Sequence, residues 1–260
     1  MKTILFLLAI LGFIHSIPIQ KPTDGHLAGV FDENFPEENP GLFEGDIELE
    51  PGENIYDRNA ILNKDKLWPN GVLPYIISST YSSGQQAVLK NAMKTIEEKT
   101  KVNGKTCIQF KPHTNQHQYI KFVDGTGCHT PAGMRSGATP VTLARYCIQT
   151  GTVMHEINHA LGMMHEQSRP DRDDYVTIVE SNIQKGQEIN FMKFKQLDEL
   201  GQSYDYGSLM HYPAHAYAID KSKPTIIPKQ KGVIIGQRTH LSPIDIKEIQ
   251  ILYGCIPRPH

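Results

Sequence analysis

The hydrophobic pattern divides the chain into three stretches of different character. Lys2 is followed by an apolar run over residues 4–14 and then by His15-Ser16. A basic start, a short apolar run and a small residue predict a secretory signal peptide over 1–16. The run is well short of the roughly 20 apolar residues that a membrane span needs. No later segment is long and apolar enough either, so no membrane attachment is expected. From 17 to 58 hydrophobic periodicity fades, and Pro, Gly, Asp, Glu and Asn dominate. Such a stretch is not expected to fold alone.

The pattern of a folded domain begins at Trp68. Residues 73–77 read as a strand. Over 85–100, Val88, Leu89, Ala92, Met93 and Ile96 fall on one face of an amphipathic helix. Residues 108–111, 119–123 and 141–143 read as short strands. A second helix is expected over 152–161, stopped by Gly162. Beyond it the pattern loosens: 169–174 is turn-rich, and 182–194 suggests short helical turns. A last helix is better marked. Ser242 can cap it, Pro243 suits its first position and Asp245 stands at the capping-box position. Ile246, Ile249 and Leu252 supply its apolar face. Strands and helices first, then a mostly irregular half, predict an α+β domain over 59–260 with a cleft between two lobes.

Charge sharpens this division. The chain of 260 residues has 26 Lys+Arg against 28 Asp+Glu, a net of −2. No strong basic excess is present, so a nucleic-acid partner is not expected. Residues 17–58 hold 11 acidic and 2 basic residues, a net of −9. Residues 59–260 hold 23 basic and 17 acidic residues, a net of +6. An acidic leader thus precedes a mildly basic body, on which it could dock. Arg58 is a candidate processing point, since trypsin-like proteases cut after basic residues. The four cysteines can form two bridges in an oxidising compartment, with three connectivities open. No Cys-x-x-Cys pair suggests a metal site, and no Asn-x-Ser/Thr sequon predicts glycosylation.

Candidate chemistry centres on His155-Glu156-Ile157-Asn158-His159-Ala160-Leu161-Gly162-Met163-Met164-His165-Glu166. On a helix, His155 and His159 lie on one face, with Cβ atoms about 5–6 Å apart. Two imidazoles at that spacing can reach one Zn²⁺. Glu156 can lean over an open metal position and take a proton from water. Gly162 permits the backbone to turn back so that His165 completes a three-His site. The three-His set leaves a coordination position open, which favours catalysis over a structural zinc. A fold-only binding or toxin-like module would predict a broken ligand set or a missing Glu, and neither is seen. His113 and His117 share the four-residue spacing, but Pro112 and the polar residues between them read as a surface loop.

These residues carry a specific resemblance. HExxHxxGxxH is the metzincin zinc signature, and Glu166 after the third His resembles the astacin family. So do Gln167-Ser168-Arg169-Pro170-Asp171-Arg172-Asp173 and Tyr204-Asp205-Tyr206-Gly207-Ser208-Leu209-Met210-His211-Tyr212. The similarity runs from Asn59-Ala60-Ile61-Leu62 to Leu252-Tyr253-Gly254-Cys255. It implies a two-lobed metzincin-like zinc protease: a twisted mixed sheet and two long helices in the first lobe, an irregular second lobe with a final helix.

The resemblance also implies roles. His155, His159 and His165 would hold one Zn²⁺, with Glu156 as general base. Met210 would be an apolar floor beneath the metal. Tyr212 would ligate zinc at rest and stabilise the oxyanion during turnover. The pairing implied is Cys107–Cys255 and Cys128–Cys147. Phe43-Glu44-Gly45-Asp46 resembles the motif with which astacin propeptides place an aspartate on the zinc, so Asp46 would be an inhibitory ligand. Cleavage between Arg58 and Asn59 by a trypsin-like protease would free an amino terminus that contacts Glu166. Arg238 matches a basic residue near the pocket for the side chain after the scissile bond. The expected protein is a secreted, monomeric zinc endopeptidase acting on proteins or peptides and made as a zymogen. The chain stops five residues after Cys255, so no further domain or anchor is expected.

Overall fold

The computed structural model describes residues 37–39, 41–49, 64–194 and 197–259. The expected signal segment, most of the acidic leader, and the Arg58–Asn59 cut lie outside the described residues.

The first half is built on a mixed sheet. Its strands are β1 (Ile47–Glu48), β2 (Val72–Ile77), β3 (Gln109–Pro112), β4 (Tyr119–Val123), β5 (Cys128–Pro131) and β6 (Ala138–Leu143). They lie in the order β1-β5-β6-β4-β2-β3. All neighbours are parallel except β5 and β6. β4 shows the period-two alternation of a strand, burying Ile120 and Phe122. β5 escapes the sequence pattern because Cys128-His129-Thr130-Pro131 has no alternation. Pairing with β6 and the bond from Cys128 to Cys147 define it.

Two helices pack against this sheet. α1 (Ser83–Lys99) starts at a full capping box, in which Ser82 and Gln85 exchange side-chain-to-backbone bonds. It buries Leu89, Ala92, Met93 and Ile96. α2 (Thr150–Ala160) is buried on every side, as expected of a helix through the centre of a domain. The Trp68 indole donates to the Ala160 carbonyl at 2.7 Å and satisfies one of the helix's free C-terminal acceptors.

The second half has little regular structure, as the sequence pattern predicts. It holds short 3₁₀ turns and a two-stranded antiparallel ribbon, β7 (Val176–Ile178) with β8 (Ile226–Pro228). Val176, Phe191, Tyr204, Tyr212, Tyr217 and Ile226 form its separate small core. α3 (Pro243–Leu252) closes the chain with Ser242 and Asp245 in the predicted capping box. Cys107 is bonded to Cys255, tying α3's end to the sheet, and Cys128 to Cys147. No helix among the described residues is long and apolar enough to cross a membrane.

Part of the leader is ordered against the body. β1 adds to the open edge of β5, and the Thr130 N–H donates to the Asp46 carbonyl at 2.8 Å. Phe43 and Ile47 join Ala132, Met164 and Phe194 in a third apolar cluster. The sequence offered no signal for β1, because its order depends on a surface distant in the chain.

Candidate metal centre

α2 sets His155 and His159 one turn apart, with ring centroids 4.8 Å from each other. Gly162, at φ 100°, ends the helix in the left-handed region that glycine accepts without Cβ strain. The reversal brings in His165, whose ring lies 4.7 Å from that of His159. The Nε2 atoms of His155 and His165 are 3.3 Å apart. All three imidazoles are fully buried.

Asp46 of the leader completes the group. Its Oδ2 is 3.0 Å from His155 Nε2 and 3.2 Å from His165 Nε2, and its Oδ1 is 3.4 Å from His159 Nε2. The four ligand atoms all lie within 4.8 Å of one another. His159 Nε2 and Asp46 Oδ1 are buried without a hydrogen-bond partner. Orphaned buried polar atoms are costly unless something else satisfies them. Three imidazole nitrogens and one carboxylate oxygen converging on a point fit tetrahedral Zn²⁺.

The electrostatics favour a cation there. Burial alone would raise the Asp46 carboxyl, but the nearby His165 and His159 and the hydrogen bond from His155 hold it well below the usual range. Burial lowers His165, yet the carboxylates of Asp46 and Glu44 outweigh this and push it up to about 9. His155 is held well below its usual value by burial and by the charge of Arg238.

Glu156 is fully buried, with neither carboxylate oxygen hydrogen-bonded. Burial, then the Asp46 charge, push it well above the usual carboxylate range. Tyr212 lies beside His165, its ring tilted by 60° with centroids 4.8 Å apart, and its hydroxyl donates to the Glu44 carbonyl. Burial keeps this phenol protonated. Met210 is buried in the main core, its sulfur 3.6 Å from Asn158 Nδ2.

The outlying residues fall as follows. Glu166 is buried beside Arg169 at 3.6 Å and accepts from the Asp205 N–H at 2.7 Å, while Asn59 lies outside the described residues. Burial pushes Glu166 up to about 8 against the opposing charge of Arg169. Glu248, equally buried, faces the same Arg169. Arg238 lines a small cavity with Tyr212, Pro213 and Ala216, and there it pairs with Glu37. His113 and His117 sit in the surface loop that the sequence suggests, apart from the metal group. Among the described residues, three acids of the leader meet separate basic side chains. Arg135 and His129 hold Glu48, Arg238 holds Glu37 and Lys221 holds Glu38.

Two residues escaped notice in the sequence. Asp245, read only as a helix cap, also accepts from Leu209 N at 2.9 Å and Ser208 Oγ at 2.7 Å. It thus fixes the segment whose Leu209 carbonyl receives His155 Nδ1. Glu44 bonds both His165 and Ser168, and its place inside the Phe43–Asp46 motif was the one available signal.

Comparison with known proteins agrees with this geometry. The Astacin peptidase family matches residues 60–254. Zinc metalloproteinase nas-4 of Caenorhabditis elegans is 38% identical over 223 residues, covering 82% of this chain and 69% of its own. Zinc metalloproteinase nas-15 of the same organism is 40% identical over 200 residues, covering 76% of this chain but 34% of its own. Several relatives are therefore much longer than the matched region. The structure of high choriolytic enzyme 1, a hatching enzyme zinc-protease from the medaka fish Oryzias latipes, shares 40% identity and superposes with a TM-score of 0.68. That match covers 75% of this chain and 97% of the medaka chain. His155 and His159 lie on α2 and His165 just after the turn that ends it, and the chain belongs to the astacin peptidase family.

Proposed function

We propose that this protein is a secreted zinc endopeptidase made as a zymogen, with residues 17–58 as its inhibitory leader. The observation that carries this reading is Asp46, held on all three histidines where a substrate carbonyl and water would otherwise compete. A carboxylate in that position removes both the nucleophile and the open site. Activation by a trypsin-like protease after Arg58 would release it. The amino terminus at Asn59 would then meet Glu166, whose buried carboxylate suits an ammonium partner.

His155, His159 and His165 hold Zn²⁺, which when bound supplies Lewis acidity for a water and for the substrate carbonyl. Glu156 takes the proton of the attacking water and delivers it to the leaving amine. Tyr212, freed from the Glu44 carbonyl, donates its hydroxyl to the developing oxyanion. Met210, buried in the main core, packs against Asn158 of α2 and supplies an apolar floor. The edge of β5, taken here by β1, offers a strand-pairing surface for a substrate backbone. Substrates are proteins or peptides, and the enzyme works as a monomer.

A caseinolytic assay with zinc, before and after limited trypsin treatment, tests this reading. Activity appearing only after cleavage, and lost on chelation, is expected. Full activity in the uncut chain would refute the zymogen, and chelator-resistant activity would refute the zinc mechanism.

A further inference from the structure

The three histidines all turn Nε2 towards the metal position, and each uses Nδ1 to hold its ring in place. His155 Nδ1 donates to the Leu209 carbonyl at 3.0 Å, and His159 Nδ1 to the Met163 carbonyl at 2.9 Å. Both acceptors belong to the body and stay with it. His165 Nδ1 donates instead to Glu44 Oε2 at 2.8 Å, a residue of the leader. Glu44 is built into this role. Its side chain is fully buried beside His165, its other oxygen accepts from Ser168 Oγ, and its backbone has φ 48°. A non-glycine residue in the left-handed region persists only where its surroundings hold it.

Partners behind a metal-ligating imidazole fix its tautomer and ring plane and increase its donor strength, and a carboxylate does so more strongly than a carbonyl. We propose that Glu44 is a positioning residue for His165, so that the latent chain holds zinc more tightly than the processed enzyme. The leader would then be a metal-retention device as well as an inhibitor. It contributes one ligand directly through Asp46 and strengthens a second through Glu44, and both are lost when it leaves. This rests on the reading that the three histidines hold zinc.

Competition against a chromogenic chelator measures zinc affinity directly. The full chain is used in a Glu156→Gln background, so that no sample processes itself. Glu44→Ala is expected to weaken zinc binding about 10–100-fold. Glu44→Gln keeps size and an acceptor oxygen and should fall between Glu44→Ala and the parent, which guards against a folding artefact. The same Glu44→Ala penalty should persist when Asp46 is already alanine. Both Glu44 variants lying within about twofold of the parent, against the larger loss expected of a missing partner, would overturn the proposal. So would a penalty that vanishes in the Asp46→Ala background, since Glu44 would then only seat Asp46. A parent that binds no zinc would sink the zinc reading itself, and this proposal with it.

Discussion

Glu37 of the leader pairs with Arg238 of the body, Oε1 to Nε at 3.0 Å, across 201 residues of sequence. The guanidinium is fixed from behind by the carbonyls of Leu209 at 2.8 Å and His211 at 3.0 Å. A pre-set cation beside Tyr212 is therefore occupied by a carboxylate from the same chain. On the proposed activation the same fork would be free to take an acidic side chain of a substrate. Cleavage profiling on a peptide library should show enrichment of Asp or Glu directly after the scissile bond. Arg238→Lys should reduce that enrichment, because an ammonium cannot reproduce the planar fork. A flat profile in the parent enzyme would reject the pocket.

Glu156→Gln should retain zinc while losing turnover by about 10²–10⁴-fold, the usual scale of a positioned general base. Metal analysis and peptide hydrolysis on the correctly processed variant separate the two effects. Comparable activity in a zinc-loaded variant would contradict the assignment.

Tyr212→Phe should lower kcat by about 10²–10³-fold with KM little changed, as removal of one oxyanion donor does. Steady-state kinetics on the activated enzyme reads this split. A rise in KM with kcat intact would make Tyr212 a binding residue instead.

Gly45→Ala should loosen latency. Gly45 sits at φ 80°, and an added Cβ would lie 2.0 Å from the Tyr217 hydroxyl and 2.5 Å from the Glu37 carbonyl oxygen. The leader cannot keep its path with Asp46 on the histidines and accept that methyl group. Basal activity of the uncut chain should rise, while the trypsin-cut enzyme, which has lost residue 45, should match the parent. Equal latency in the uncut variant would show that the turn tolerates the methyl.

Asp245→Ala should destabilise the body by about 2–4 kcal/mol, since it removes a helix cap and leaves buried donors unpaired. Thermal or denaturant unfolding checks the size. Because Asp245 also anchors the Leu209 segment behind His155, the variant should bind zinc more weakly than one altered at an exposed helix position.

Features that depend on near neighbours in the chain were legible before any fold was known. The spacing of His155, Glu156 and His159 on one helix, the glycine turn to His165, the caps at Ser82 and Ser242 and the face of α1 are all local geometry. Periods of 3.6 and 2 residues, and the turn preferences of glycine and serine, suffice to read them. The acidic character of the leader was equally plain. Local pattern does not say which distant groups meet; the family resemblance anticipated Cys107–Cys255, Cys128–Cys147 and Asp46 on the histidines, and the rest became visible only in three dimensions. β1 and β5 have no periodic signal, because strand pairing defines them rather than propensity. By composition Asp46 is one acid among many; the fold brings it onto three histidines, His155 being 109 residues away. Glu37 on Arg238, Glu48 on Arg135, Asp245 behind Leu209 and Glu44 behind His165 were likewise illegible. A single charged residue carries no record of its partner, and a buried ion or hydrogen bond has meaning only once the low-dielectric surroundings that strengthen it have formed.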